Sequence, residues 1–264
     1  MKKHFPTELV YHVFSLLIAF IVVHSIYVTL VRPQARVFLE QETASIMADP
    51  QYVPKRSFHV VIKDYEQETC FVLMLWAFSI LAYKGRDVYR QQKLLGQDLL
   101  QLPDNLPIGL EDTRGIAKHL ASLPTPLHDW LLPRALLTAI ERFAATRNVQ
   151  DVSTAARAVC ESEGDRMETE LSIIRYIAWA IPSVGFIGTV RGIGDALGQA
   201  HRAVEGDITG VTASLGVAFN STFIALVISI VLMFFVHQLQ LMQERLVLDS
   251  ERYVDSWLIR RLKT

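Results

Sequence analysis

The stretch Thr209–Val236, TGVTASLGVAFNSTFIALVISIVLMFFV, contains no Asp, Glu, Lys or Arg. It exceeds the roughly 20 apolar residues that a helix needs to cross the hydrocarbon of a bilayer. A helix apolar on every side has no face to offer water, so this run reads as a membrane span and decides the fold class. The remaining chain agrees with it. Of 264 residues 51% are hydrophobic, the formal net charge is −1, and the charges gather between uncharged runs. The composition points to an all-α, polytopic membrane protein and away from a soluble domain.

Three further spans follow from the same criterion. Leu9–Val31, LVYHVFSLLIAFIVVHSIYVTLV, is interrupted only by His12 and His24 and follows Lys2 and Lys3. Long and without a small-residue cleavage site, it reads as an anchor and not as a removable signal peptide. Thr69–Tyr83, TCFVLMLWAFSILAY, is short, and the flanking Tyr65, Tyr83 and Lys84 complete it at the interfaces. Tyr176–Val190 is uncharged and supplies the third span with its flanks.

Lysine and arginine crowd the span ends at Lys2 and Lys3, at Lys84, Arg86, Arg90 and Lys93, and from Arg245 to Lys263. These flanks are expected in the cytoplasm, which places both termini there. Lys55, Arg56 and Lys63 in the first outer loop weigh against that orientation. The expected organisation is residues 1–83 as N-terminal membrane helices (9–31 and 69–83) with an outer loop at 32–68, then a cytoplasmic helical region at 84–172. A channel-forming hairpin at 173–236 and a C-terminal cytoplasmic helix at 237–264 complete it. Within 84–172, LPDNLPIGLED and LPTPLHDWLLPRALLTAIERFAATRN mark turns and helix starts, and VSTAARAVCESEGDRMETELSIIRYIAWA is helical and expected to lead into the third span. The tail after Val236 keeps helical spacing, so the fourth helix should continue beyond the membrane.

Enzyme chemistry finds no foothold in the sequence. There is no phosphate loop, no metal-binding helix pair, and no strand–turn–helix context for the glycines around residue 188. The histidines lack ligand spacing, basic residues are not interleaved with aromatics for nucleic acid, and no cofactor is implied. Cys70 and Cys160 fall on opposite sides of the expected membrane, so no disulfide joins them. His24, deep in the first span, reads as a hydrogen-bonded packing residue. None of the four uncharged cores contains Asp or Glu, the group that an ion-driven machine titrates.

The third and fourth spans instead carry small-residue stripes. Residues three and four apart share a helix face, which aligns Pro182, Gly185, Thr189, Gly192 and Ala196 on one span and Ser214, Ala218, Thr222, Ala225 and Ser229 on the other. Gly188 and Gly192 form a GxxxG pair on an adjacent face. Such stripes either pack helix on helix or turn a polar line toward a partner or a water-filled path. Arg191 and Asp195, four apart, are expected to pair at the outer end.

AIPSVGFIGTVRGI followed by LGVAFNSTFIALVISI resembles the paired membrane signature of the MotA/TolQ/ExbB family, the channel-forming subunits of ion-driven bacterial motors. A weaker similarity extends to WAFSILAYKGRDVYRQQKLL, which is similar to the first span and basic exit of the TolQ/ExbB branch. The resemblance implies a bacterial inner-membrane protein, five copies of which surround two copies of a single-span MotB/TolR/ExbD-like partner bearing an ion-binding aspartate. It implies that Thr189 and Thr222 face those central helices. Ser221, Gly185, Gly192, Ala218 and Ala225 line the same path, and Pro182 breaks the third helix near its cytoplasmic end. The sequence departs from the family pattern at Val217, where many members carry glutamate, and at Ala225, where glycine is common. Protons are the expected coupling ion. The competing functions are a flagellar stator subunit acting on a rotor and a non-conducting membrane scaffold. A membrane-embedded hydrolase lacks any paired nucleophile and base.

Overall fold

A computed structural model describes residues 7–48, 57–100 and 107–263. Lys2, Lys3, Lys55, Arg56 and the start of the proline-marked turn at Leu102 lie outside them. The described residues are helical and form no sheet; their one β-bridge joins Ile108 and Leu262. Among the described residues four helices are long and apolar enough to cross a membrane: Leu9–Ala48, Tyr65–Leu94, Val149–Gly198 and Thr209–Arg261. The protein is a multi-pass, all-α membrane protein. It divides into two compact units, Met1–Leu81 with Ile173–Val236, and Ala82–Ser172 with His237–Thr264.

The first unit opens with α1 (Thr7–Ile26), which passes through a π-turn at Tyr27–Val31 into α2 (Arg32–Ala48). Residues 32–48, expected in an outer loop, therefore continue the helix. The short α3 (Phe58–Ile62) precedes α4 (Tyr65–Leu94), which starts four residues ahead of the apolar run from Thr69. That early start brings Glu66, Gln67 and Glu68 onto the helix, with both glutamates in its first turn beside the unpaired N–H groups. Farther along, α1 and α4 are tied where Tyr11 Oη donates to the Ser79 carbonyl at 3.0 Å and Trp76 Nε1 to that of His12 at 3.0 Å.

Helix α8 (Ser172–Gly198), the short α9 (Ala200–Val204) and α10 (Thr209–Trp257) follow later in the chain. Contrary to the implied break, α8 runs through Pro182 without interruption. Proline lacks the N–H that would bond the carbonyl of residue i−4, here Ala178. Ser229 of α10 donates its hydroxyl to that carbonyl at 2.9 Å, so no backbone acceptor is stranded in hydrocarbon. Large apolar side chains point outward from these helices, with Phe186 63% and Phe223 60% exposed, as lipid contact requires.

In the second unit α6 (Leu131–Thr146) packs against α5 (Leu110–Ala121) and α7 (Val149–Glu170). Leu136, Ala139, Ile140 and Phe143 are fully buried on α6, and Val152, Ala156 and Cys160 on α7. Asn148 caps α7 by accepting the Gln150 N–H at 2.9 Å, and Leu171 alone separates α7 from α8. Glu163, 4% exposed, takes Arg134 at 3.1 Å and Arg166 at 3.2 Å, and Lys84 reaches Glu170 at 2.6 Å. Burial pushes the Cys160 thiol up to about 11, so it packs as a small neutral side chain.

Candidate ion-path site

The stripes on α8 and α10 meet each other inside one chain. Gly185 lies against Ala225, and a side-chain carbon at Gly192 would fall 2.7 Å from the backbone nitrogen of Ala218 and the carbonyl of Ser214. Glycine at these positions lets the two backbones touch, and Ala218 and Ala225 are 0% exposed as a result. Gly185, Gly192, Ala218 and Ala225 thus form the seam between the two helices within the chain.

At mid-seam Thr189 and Thr222 share a hydrogen bond between their hydroxyls. Thr189 Oγ1 also donates to the Ala218 carbonyl at 3.0 Å, and Thr222 Oγ1 lies 3.1 Å from the Gly185 carbonyl. Each hydroxyl has one proton for these contacts, so the pair holds a surplus of acceptor oxygens over donors. Both threonines are half-buried at the edge of the seam. Pro182 is half-buried as well.

Ser221 turns a different way. It is 1% exposed, donates to the Val217 carbonyl at 2.8 Å, and accepts from Gln67 Nε2 of α4 at 3.4 Å. Gly188 makes this approach possible: a side-chain carbon there would lie 2.5 Å from Ser221 Cβ and 3.1 Å from Glu66 Cγ. The GxxxG glycines therefore serve two contacts, Gly192 against α10 and Gly188 where α4 and α10 come together.

The start of α4 carries charges that the uncharged-run criterion left outside the span. Arg191 pairs with Glu66 at 2.8 Å, and this corrects the expected partner Asp195. The i+4 spacing allowed the local pair, but a carboxylate from another helix meets the guanidinium first. Glu68, 8% exposed at its side chain, accepts from Arg32 and from His24, whose Nδ1 lies 2.7 Å away. His24 stacks on Phe20 with ring centroids 5.4 Å apart, so it is a hydrogen-bonded residue as expected, with a carboxylate for its partner. The single signal for this cluster in the sequence was the pair of glutamates just ahead of Thr69. Among the described residues no group of three or more His, Cys, Asp or Glu is arranged to hold a metal ion, and Cys70 and Cys160 are both free.

The family model of the MotA/TolQ/ExbB proton channels matches residues 129–252. The chain carries a MotA/TolQ/ExbB proton channel family domain. It takes in α6, α7, α8, α9 and all but the end of α10, and with them Thr189, Ser221 and Thr222. The MotA/TolQ/ExbB proteins are proton channels and not a class of enzyme. Comparison with curated proteins and with solved structures gave no match. The first two apolar helices, with Glu66, Gln67 and Glu68, lie outside the family match.

Proposed function

We propose that this chain is the ion-conducting subunit of a motor in the bacterial inner membrane, driven by the ion-motive force. Five copies surround two copies of a single-span partner of the MotB/TolR/ExbD kind, and proton flow becomes rotation or force. Both termini lie in the cytoplasm. The observation that carries this reading is the Thr189–Thr222 pair, two half-buried hydroxyls at the edge of the seam in helices that hold no carboxylate at that level. Such a pair offers acceptor oxygens to the protonated form of an ion-binding carboxyl group on a neighbouring helix. An aspartate on the partner supplies the group that the two stripes lack.

Each elementary charge crossing 100 mV releases about 2.3 kcal/mol, enough to shift a subunit ring between near-equivalent packings around the partner pair. Ser221 supports protons over sodium. Its hydroxyl is spent on Val217 and Gln67, which leaves the threonines without the further oxygens that a sodium shell would take.

The seam is also what a non-conducting scaffold requires, and one experiment separates the two. Co-expressed with the partner, Thr189→Ala and Thr222→Ala should each abolish ion-driven output at normal expression. Retention of full output by both variants would remove the ion path and leave the scaffold.

A further inference from the structure

Buried polar atoms without hydrogen-bond partners are rare in folded proteins, and three of them lie at the approach to α4. Tyr27 Oη, Asp64 Oδ2 and Gln67 Oε1 are each buried with no partner among the described residues. They belong to one neighbourhood. The Arg32 guanidinium sits 5.6 Å from the Tyr27 ring centroid and 4.4 Å from that of Tyr65, and it bonds Glu68. Lys63 holds the other oxygen of Asp64 at 2.8 Å.

Gln67 is 0% exposed. Its Nε2 donates to the Val61 carbonyl at 3.1 Å, an acceptor that would repel Oε1, so the amide orientation is fixed and Oε1 faces away. A buried acceptor left bare costs about 1–3 kcal/mol, and three such groups would burden a membrane bundle heavily. A water molecule with two or more polar neighbours removes that cost. Beside the cluster lies an open pocket of about 610 Å³ whose surface is mostly apolar, with Arg32, Arg36, Glu40, Lys63, Asp64 and Tyr65 supplying its polar groups.

We propose that this cavity is the mouth of a water-filled inlet within the single subunit. Water held by Asp64, Tyr27 and Gln67 extends from the mouth to Ser221, one residue from the threonine pair. Gln67 is the positioning residue at its inner end, where Gly188, having no side chain, lets Ser221 pack within reach of the Gln67 amide. The inlet rests on the proposed function for its purpose, which is to bring protons to the threonines from the α4 start, but not for its existence. Its residues up to Gln67 lie outside the matched family domain.

Thiol accessibility tests it without a partner. In the full chain with Cys70→Ser and Cys160→Ser, a single cysteine at Ser221→Cys should react with a small methanethiosulfonate ammonium reagent, while Ile228→Cys, buried on the same helix, should not. Adding Gln67→Leu should slow the Ser221→Cys reaction about tenfold, and Gln67→Glu should restore it. A second measurement covers a Gln67→Leu chain that fails to fold. Tyr27→Phe removes a hydroxyl that costs stability if it is bare and contributes stability if it holds water. The inlet therefore expects a lower denaturation midpoint. Labelling of Ser221→Cys no faster than Ile228→Cys, a rate indifferent to Gln67→Leu, or a raised midpoint for Tyr27→Phe would each overturn it. Labelling as expected in a chain that moves no ions with its partner would instead sink the motor reading and leave the inlet standing.

Discussion

The seam between α8 and α10 and the charged start of α4 are built by opposite means. In the seam, backbones touch through Gly185 and Gly192, and hydroxyls are spent on carbonyls within hydrogen-bond reach. At the start of α4, long side chains carry full charges into partial burial and meet across helices, Glu66 with Arg191 and Glu68 with His24 and Arg32. Close packing tolerates no added atom, whereas ion pairs tolerate adjustment but not the loss of one partner. The seam should therefore fail by overpacking and the charged cluster by deletion.

The largest expected effect is at Gly192. A Gly192→Val side chain meets backbone atoms that cannot rotate away, and destabilisation of about 3 kcal/mol is expected in denaturant titration of the micellar protein. A change below 1 kcal/mol would show that the helices separate freely there. Next comes Glu68→Gln, which leaves Arg32 and His24 without their carboxylate. Because Arg32 is one-quarter exposed, water recovers part of the loss, and about 2 kcal/mol is expected instead of the full cost of a buried unpaired charge.

Ser229→Ala strands the Ala178 carbonyl and should cost about 1 kcal/mol. Pro182→Ala restores the missing N–H, so in that background the Ser229→Ala effect should vanish; equal effects in both backgrounds would break the link between the proline and the serine. The smallest effect belongs to Arg191→Ala. Its side chain is 43% exposed, and stability should change by less than about 1 kcal/mol. A larger loss would mean that the Glu66 pair holds the helices together as firmly as the seam does.

The legibility of the two regions differs for a physical reason. Small residues at helical spacing in an uncharged run are a local pattern, so the stripes and both threonines could be read directly from Pro182 to Ser229. The extra turn of α4 could not. Glu66 and Glu68 looked like loop charges because an apolar-run criterion ends a span at the first carboxylate. Their partners Arg191, His24 and Arg32 are 125, 44 and 36 residues away in the chain. Arg191 illustrates the error: spacing offered Asp195, and three-dimensional proximity chose Glu66. Ser221 adds a subtler case. Beside Thr222 in sequence it reads as a second hydroxyl of the same site, yet a turn of about 100° per residue points it at Gln67.

Helix number, membrane character and the small-residue stripes were properties of the chain alone, because hydropathy and helical period act over neighbouring residues. Only the tertiary structure decided which atoms of those helices meet. It set the stripes against each other, gave the Ala178 carbonyl its serine, and carried a buried glutamine to Ser221. Those pairings depend on where separate helices pass in space, and no local spacing encodes that.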